Sequence, residues 1–227
     1  MLVTEALTKT YQIGEVKVHA LNNVDLEIKK GEFVAIMGPS GSGKSTLLHL
    51  LGGLDKPTGG RVLIDGQDMT EMTEDQLAEI RSEKIGFVFQ LHNLLPSLTA
   101  VENVELPMIF SESGAKIDRK KKATELLKTI GLGDRLNHTP LQLSGGQQQM
   151  VAIARALANA PSILFTDEPT GELDTKSGNE ILNLLKNLNK EKNITLILVT
   201  HDPDVAQHAD RIIYMRDGKI FNREVDE

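Results

Sequence analysis

The residues whose types and spacing most clearly suggest chemistry form the segment GPSGSGKST, from Gly38 to Thr46. The segment matches G-x-x-x-x-G-K-[ST] and lies between an apolar strand pattern, EFVAIM, and a helical pattern, LLHLLGGL. Glycines let backbone N–H groups point inward at phosphates, and the N-terminus of the following helix adds a favourable dipole. We therefore expect a phosphate-binding loop in which Lys44 reaches the β- and γ-phosphates and Ser45 ligates Mg²⁺. The alternative, a chance glycine-rich turn, is disfavoured by the strand and helix on either side.

Polar residues that follow other apolar strand patterns can complete a nucleotide site. SILFTDE leads into Asp167, which can hold Mg²⁺ through water, and Glu168, which can orient or deprotonate an attacking water. Gln90 ends IGFVFQ, and its neutral amide can ligate Mg²⁺ or position water. His201 ends ITLILVTH and can contact the γ-phosphate or the water if its strand runs parallel to the others. Taken singly, each is as readily a surface or structural residue, so these assignments depend on the phosphate loop.

A second candidate anion site begins at LSGGQQQMVAIARAL, where Ser144, Gly145 and Gly146 open a helical pattern. N–H groups, a hydroxyl and the positive end of a helix meet there, as they do in a phosphate loop. The alternative is an ordinary helix whose Ser144 caps its own N-terminus. Because the chain has a single phosphate-loop lysine, we expect the second site to act between chains. In a two-fold dimer it would close over the partner's nucleotide, giving two equivalent composite sites.

The elements that must position these residues alternate between strands and helices. VDLEI (Val24–Ile28) alternates apolar and polar residues, and RVLIDGQDM contains the pair Asp65-Gly66, which is typical of a tight hairpin. The continuous apolar runs EFVAIM, IGFVFQ, SILFTDE and ITLILVTH are typical of buried parallel strands. Helical patterns separate these runs, so the sequence predicts an α/β fold with a mostly parallel sheet.

The helical patterns have recognisable ends and faces. Thr73 and Gln76 form a capping box ahead of QLAEIRSEK, while Asp118 opens and Gly131 ends a later helix. The apolar stripes are Ala123, Leu126, Leu127 and Ile130 in that helix, and Ile181, Leu184, Leu185 and Leu188 in the helical pattern TKSGNEILNLLKNLNK. SESGAKID, before Asp118, is expected to be an exposed loop.

In the middle of the chain the strand signal disappears, which predicts a helical subdomain inserted into the α/β core. We therefore expect a single domain over 1–227. Its nucleotide-binding core, with the β subdomain, covers 1–90 and 160–227, and the helical subdomain with the second anion site covers 91–159.

Composition narrows the function further. The net charge is −7, so no general nucleic-acid surface is indicated, and there are no cysteines for disulfides, thiol catalysis or Cys-ligated zinc. The N-terminal residues lack the features of a signal peptide, and the longest apolar runs are too short to span a bilayer. We expect a cytoplasmic chain whose membrane role, if it has one, comes through a partner.

Together, these motifs resemble those of the ATP-binding-cassette (ABC) ATPases, in the same order and over essentially the whole chain. The corresponding segments are Walker A (Gly38–Thr46), the Q-loop (Gln90), the signature (Leu143–Gln147), Walker B (Ile163–Glu168), the D-loop (Leu173–Asp174) and the switch histidine (His201). The resemblance implies a P-loop NTPase core with an antiparallel β subdomain and an inserted helical subdomain. It also implies that Tyr11 stacks on adenine, although on sequence alone this residue is more often interpreted as a strand-edge tyrosine.

The resemblance implies three overlapping sets of site residues. The catalytic set is Glu168, His201, Gln90 and Lys44, and the Mg²⁺ set is Ser45, Gln90 and Asp167. The nucleotide-binding set is Tyr11, Gly38, Ser40, Gly41, Ser42, Gly43, Lys44, Ser45, Thr46, Ser144, Gly145, Gly146, Gln147 and Asp174.

The resemblance also implies an ATP-hydrolysing transporter subunit, in which ATP closes a head-to-tail homodimer and hydrolysis reopens it. FVFQLHNLLPSLTAVENVELPMIF and DEPTGELD are similar to the LolD/MacB group, from lipoprotein-releasing and macrolide-exporting systems. Such ATPases work beneath integral-membrane permeases with few spans and a large outer domain. We therefore expect attachment through a permease at the inner face of the cell membrane, Leu91–Phe110 as the docking surface, and no nucleic-acid partner.

Departures from the family pattern flank the site. Met150 stands where Arg is common, Thr166 replaces a small apolar residue, and Glu172 stands where Asn or Ala is common. The residues Lys44, Asp167, Glu168 and His201 are intact, so we expect activity with altered coupling or rate.

Two other functions remain as alternatives. A soluble ABC ATPase of DNA repair or translation would carry long coiled coils or two cassettes per chain, and neither is present. A P-loop kinase would leave LSGGQ without a use, and would be recognised by a phosphorylated product.

Overall fold

The computed structural model describes residues 1–111 and 117–221. Close contacts divide the chain into two units, one formed by Met1–Leu77 with the residues from Thr195 onward, and the other by Ala78–Ile194. The helical subdomain expected over 91–159 falls within the second unit, and its boundaries remain a prediction. Of the loop expected over Ser111–Asp118, residues 112–116 lie outside the described residues.

The first unit contains an antiparallel sheet. Its strands are β1 (Leu2–Ile13), β2 (Val16–Ile28), β4 (Gly59–Ile64) and β5 (Gln67–Asp68), in the order β2-β1-β4-β5. The predicted hairpin joins β4 to β5, with Asp65 and Gly66 at φ values of 52° and 80°. Both values are positive, as a two-residue hairpin turn of type I′ requires. The antiparallel β subdomain is thus confirmed.

The first unit also contains the parallel strands that carry the phosphate loop. β3 (Phe33–Met37) lies between β8 (Thr195–Thr200) and β9 (Arg211–Arg216) and runs parallel to both, while β10 (Lys219–Phe221) pairs antiparallel with β9. Every residue of β3 and β8 is buried, as their continuous apolar sequences predict. Helix α1 (Lys44–Leu51) follows β3, and the short α7 (Pro203–Ala206) follows β8.

The second unit combines a parallel strand pair with helices. β6 (Ile85–Val88) and β7 (Ile163–Asp167) pair in parallel, with Val88 opposite Thr166. The helices are α2 (Glu74–Lys84), which enters this unit from the first, α3 (Ala100–Ile109), α4 (Arg119–Thr129), a 3₁₀ turn at Pro140–Gln142, α5 (Gly145–Ala156) and α6 (Thr175–Lys192). The predicted mostly parallel α/β architecture is confirmed.

A hydrophobic cluster holds α3, α4 and α5 together. Val104, Met108, Leu127 and Val151 are fully buried in it. Truncating such a residue to alanine removes about 2–5 kcal/mol of stability, so this packing is what holds α5 in place. The predicted stripe of α4 faces the same cluster, with Asp118 capping the helix at Lys121 N and Gly131 ending it at a φ of 83°.

The capping box predicted for α2 is present. Thr73 N donates to Gln76 Oε1 at 2.9 Å, and Gln76 N donates to Thr73 Oγ1 at 3.3 Å. These reciprocal bonds satisfy two backbone donors that a helix start otherwise leaves to solvent.

Candidate functional site

The phosphate loop is folded so closely that side chains are excluded at two of its glycines. Gly43 has a φ of 102°, and a Cβ there would lie 2.5 Å from the Ala20 carbonyl oxygen. A Cβ at Gly38 would overlap the carbonyl oxygen of Met215. Only glycine fits these positions, and its small size lets the backbone approach a ligand closely.

Polar groups within the loop fit an oxyanion. The Ser42 hydroxyl is buried and has no hydrogen-bond partner among the described residues. The buried Lys44 ammonium donates to the carbonyls of Gly38 at 2.7 Å and Pro39 at 2.9 Å. A buried hydroxyl without a partner is costly, and a phosphate oxygen beside it would relieve that cost. The loop therefore fits the phosphates of a nucleotide.

His201 leaves the sheet beside this loop. β3 and β8 are parallel with Met37 opposite Thr200, so Gly38 and His201 follow at the same edge. The histidine is exposed, and Asp202 next to it caps α7 by accepting from Asp204 N at 2.8 Å. β8 therefore runs parallel to β3, which is the condition on which the expectation for His201 depended.

Tyr11 is held by two residues that the sequence did not single out. Its hydroxyl donates to Asp55 Oδ2 at 2.9 Å, and the Lys9 ammonium lies 4.8 Å from its ring centroid. Burial raises the pKa of Tyr11, with Asp55 adding to the shift and a hydrogen bond to the Thr46 side chain opposing it. Thr46 ends the phosphate loop, so Tyr11 lies near the loop, as its expected role requires.

In the second unit, the Walker B and Q-loop residues leave one sheet edge together. Val88 lies opposite Thr166 in the parallel pair β6–β7, and Gln90 and Glu168 each follow two residues later. Gln90 Nε2 donates to Glu172 Oε1 at 3.2 Å, which turns the amide oxygen away from Glu172. Glu172, noted as a departure, thus orients the residue expected to ligate Mg²⁺.

Glu168 begins a tight turn in an uncommon backbone conformation. Its φ is 47°, and Gly171 N donates to its carbonyl oxygen at 3.1 Å. Asp174, at the end of this turn, caps α6 by accepting from Lys176 N and Ser177 N, both at 3.0 Å. Hydrogen bonds from Ser177 lower the pKa of Asp174, so the carboxylate is ionised at neutral pH. Its expected role toward the nucleotide remains a prediction.

The second anion site is a capped helix start in the single chain. Ser144 Oγ accepts from Gln147 N at 3.3 Å, and Gln147 Oε1 accepts from Ser144 N at 3.0 Å. Gly145 and Gly146 lie close to Leu173 and Ser177, where added Cβ atoms would come within 3.3 Å and 3.1 Å. The glycines therefore place the helix start directly against the turn that follows Glu168.

The other departures have packing explanations. Met150 packs against the helical cluster instead of presenting a charge, and Thr166 is fully buried within β7.

Gln149 and Arg155 of α5 make contacts that sequence reasoning missed. The sequence signal for them was a polar residue among apolar positions. Arg155 lies within VAIARAL, and Gln149 lies in the helical turn that precedes it.

An open groove of about 440 Å³ lies within the second unit. Its lining includes Arg81, Phe87, Phe89, Pro107, Phe110 and Arg155. Arg155 donates from Nη1 to the Asn93 carbonyl at 2.5 Å and from Nη2 to the His92 carbonyl at 2.8 Å. Burial lowers the pKa of Arg155, and its two carbonyl partners compensate the charge. The segment after Gln90 is thereby fixed along the groove.

Within residues 1–111 and 117–221, no group of three or more His, Cys, Asp or Glu side chains is arranged to hold a metal ion. No helix in the same ranges combines the length and the apolar character needed to cross a membrane.

Comparison with known proteins identifies consistent relatives. The family model described as ABC transporter matches residues 21–171. MJ0796 of Methanocaldococcus jannaschii, an uncharacterized ABC transporter ATP-binding protein, is 56% identical over 99% of this chain and 97% of its own length. The macrolide export ATP-binding/permease protein MacB of Syntrophobacter fumaroxidans is 51% identical over 97% of this chain, which spans 31% of that protein.

A solved structure supports the same relationship. The dimeric post-hydrolysis state of the MJ0796 cassette, bound to ADP and Pi, superposes with a TM-score of 0.90 at 54% identity. The match covers 100% of this chain and 98% of that chain.

Proposed function

The chain belongs to the ABC transporter family as an ATP-binding, ATP-hydrolysing subunit, and on this premise we propose that two copies close head-to-tail over ATP and Mg²⁺ to drive an integral-membrane permease. The observation that carries the proposal is the presence of two helix starts suited to anions beside a single phosphate-loop lysine. The solved MJ0796 cassette is dimeric, which supports the same arrangement here.

Nucleotide binding begins at the phosphate loop. The backbone and hydroxyl groups of Gly38–Thr46 hold the phosphates, Lys44 neutralises their charge, and Tyr11 stacks on the adenine. We propose Ser45, Gln90 and Asp167 as the residues that hold Mg²⁺. When bound, this ion would offset the negative charge that develops during transfer.

Hydrolysis requires an activated water on the γ-phosphate. Glu168 accepts the proton of that water as the water attacks in line, and ADP leaves as phosphate is released. Lys44 and His201 stabilise the charge that develops on the phosphoryl group. In this proposal Ser144, Gly145, Gly146 and Gln147 bind the γ-phosphate of the nucleotide held by the partner subunit, and Asp174 lies beside that contact. Loss of the γ-phosphate removes the link between subunits, so the dimer opens.

The permease partner is proposed to dock on the groove in the second unit. Phe110 lines this groove and is 77% exposed, and Leu91 and Ile109, from the same predicted docking segment, are 73% and 54% exposed, so this segment offers apolar side chains that a partner could cover. The MacB relative joins ATP-binding and permease functions by its name, which favours a LolD/MacB-type permease. The chain would then be held at the inner face of the cell membrane, on its cytoplasmic side, by that permease.

Replacing Glu168 with Gln tests the catalytic proposal. The variant keeps the size of the side chain but cannot accept the proton, so the hydrolysis rate should fall by about 10²- to 10⁴-fold. ATP should then hold a dimer that light scattering detects, because the bridging γ-phosphate persists. The matched control, Glu180→Gln, changes an exposed carboxylate of α6 and should leave both rate and mass unchanged. A Glu168→Gln protein that hydrolyses ATP at the parental rate would exclude Glu168 from this role.

A further inference from the structure

Gln149 is a fully buried amide in α5 whose chemistry the nucleotide motifs leave unused. Its Nε2 donates to the Pro169 carbonyl at 2.9 Å, and a longer contact of 3.5 Å joins the same nitrogen to the Phe89 carbonyl. Its Oε1 has no hydrogen-bond partner within the part of the chain that the structure describes. An apolar side chain would avoid that unpartnered oxygen, so burial alone does not account for an amide at this position.

The Pro169 carbonyl belongs to the turn that presents Glu168. A φ of 47° places Glu168 in the left-handed region, which costs a non-glycine residue about 1–3 kcal/mol. Such a conformation persists only where surrounding contacts hold it. Within the turn, Gly171 N bonds to the Glu168 carbonyl, and from outside it Gln149 bonds to the carbonyl of the next residue.

The same side chain reaches the backbone before Gln90. Phe89 immediately precedes Gln90, so the Gln149 amide lies between the Walker B turn and the Q-loop. Because α5 begins at Ser144–Gly146, this amide also connects both segments to the helix that carries the second anion site.

We propose that Gln149 is a positioning residue for Glu168, holding the Pro169 carbonyl so that the Glu168 carboxylate keeps its aim at the attacking water. The inference rests on the proposed role of Glu168 as the acceptor of the water's proton. Gln149 touches neither nucleotide nor water and acts only through the turn. Its loss therefore affects the chemical step and spares nucleotide binding.

A double-mutant cycle with Gln149→Met and Glu168→Gln tests this inference. Methionine matches the length of the side chain and replaces the amide by an apolar group, which removes both the Nε2 donor and the unpartnered Oε1. In the parental background Gln149→Met should slow single-turnover hydrolysis by more than about tenfold, since small misplacements of reacting groups have effects of this size. In the Glu168→Gln background the same change should slow the residual reaction by less than about twofold, because the residue it positions is already disabled.

Two further measurements separate positioning from folding. In Gln149→Met the affinity for a fluorescent ATP analogue should stay close to the parental value, and the melting temperature, even if lowered, should remain well above the assay temperature. The matched control, Asn189→Leu, removes another buried amide that donates to a carbonyl, that of Ile194, at the far end of α6. It should leave the hydrolysis rate of the folded protein unchanged.

The outcomes are distinguishable. Equal losses of rate in both backgrounds would overturn the link between Gln149 and Glu168 while leaving the proposed function intact. A Glu168→Gln protein with the parental rate would overturn both. If Gln149→Met melts below the assay temperature, Gln149→Asn, which keeps an amide but withdraws it by one methylene, takes its place in the same cycle.

Discussion

Lys9, Asp55 and Tyr11 form a network in which one carboxylate serves two partners. Lys9 Nζ donates to Asp55 Oδ1 at 2.6 Å and to the Lys56 carbonyl at 2.6 Å, and Tyr11 donates to the other carboxylate oxygen. Lys9 is 8% exposed, so its charge needs these partners. Asp55 therefore holds both the Lys9 ammonium, which lies against the Tyr11 ring, and the Tyr11 hydroxyl. The Tyr11 ring is the surface proposed to stack on adenine.

Replacing Asp55 with Asn should destabilise the protein and weaken nucleotide binding. The buried Lys9 ammonium would lose its counter-charge, at a cost of about 1–3 kcal/mol at pH 7. Urea unfolding measures the free energy, and titration with a fluorescent ATP analogue measures the affinity. Asp75→Asn, which changes an exposed carboxylate of α2, should alter neither.

The same variant should have a different pH dependence. Burial raises the pKa of Asp55, but hydrogen bonds from Lys9 and Tyr11 outweigh this, and the pKa lies below its ordinary value of 3.8. The ionised carboxylate thus stabilises the fold above pH 3.8, and that contribution is lost as pH falls through the lower folded-state pKa. The stability gap between parent and Asp55→Asn should narrow below pH 3.8. A constant gap from pH 7 to pH 3 would contradict this account.

The sequence predicted residues that chemistry ties to local spacing and missed those tied by distant contacts. Lys44 and Ser45 are recognisable because a nine-residue loop contains all that a phosphate needs. Asp55 lies forty-six residues from Lys9, and Gln149 twenty from Pro169, so no local pattern joins them. Their partners are backbone carbonyls or side chains on other elements, which only the folded chain identifies.

Among the elements, α5 carries three separate contacts along one rigid helix. Its N-terminus is the second anion site, Gln149 meets the Walker B turn, and Arg155 binds the carbonyls beside the groove. Twelve residues of helix span about 18 Å, so these contacts cannot shift independently without bending the helix. The groove and the Glu168 turn are thus both in contact with this one helix.

Asn103, in α3, should be necessary to hold the backbone of the segment that precedes α3. Fully buried, it accepts from Leu95 N at 2.8 Å and donates to the carbonyls of Leu95, Leu98 and Thr99 at 3.0–3.1 Å. Asn103→Leu would leave buried backbone groups unsatisfied, and the free energy of unfolding should fall by about 2–4 kcal/mol. The same change at Asn187, on the exposed face of α6, should cost less than about 0.5 kcal/mol. Equal stability of the two variants in urea would refute this role.

The type of an element, strand or helix, could be predicted where a single hydrophobic period dominates its sequence. The alternation in VDLEI, the buried runs of β3 and β8 and the stripe of α4 each have a single physical reading, and each is confirmed. The groove was not predictable as a shape, although Leu91–Phe110 was predicted as a docking surface. Its walls come from α2, β6, α3 and α5, and their meeting depends on packing rather than on local sequence.

For the molecule as a whole, the proposed partner is a permease, and Phe110→Asp should weaken its binding. Phe110 lines the groove and is 77% exposed, so the change removes apolar contact area with little effect on the core. Purification of the tagged chain from its native membranes in mild detergent, followed by mass spectrometry, should recover less permease with the variant. Binding of a fluorescent ATP analogue should be unchanged.

Val16→Asp is the matched control, because it alters another exposed apolar residue, 63% exposed, on the β1–β2 hairpin. It should recover the permease in full. Recovery of a permease with few spans and a large outer domain supports the LolD/MacB-type assignment, and a different architecture rejects it. If Phe110→Asp loses ATP binding as well, the docking claim is unsupported.

The position of the Lys44 ammonium has a consequence for which anions the molecule accepts. Its hydrogens already point at the carbonyls of Gly38 and Pro39, so any newcomer has to exchange with ligands that are in place. A weakly charged anion offers little advantage in that exchange, whereas the dense negative charge of a triphosphate does. The backbone carbonyls of the loop itself therefore favour a densely charged anion over a weakly charged one.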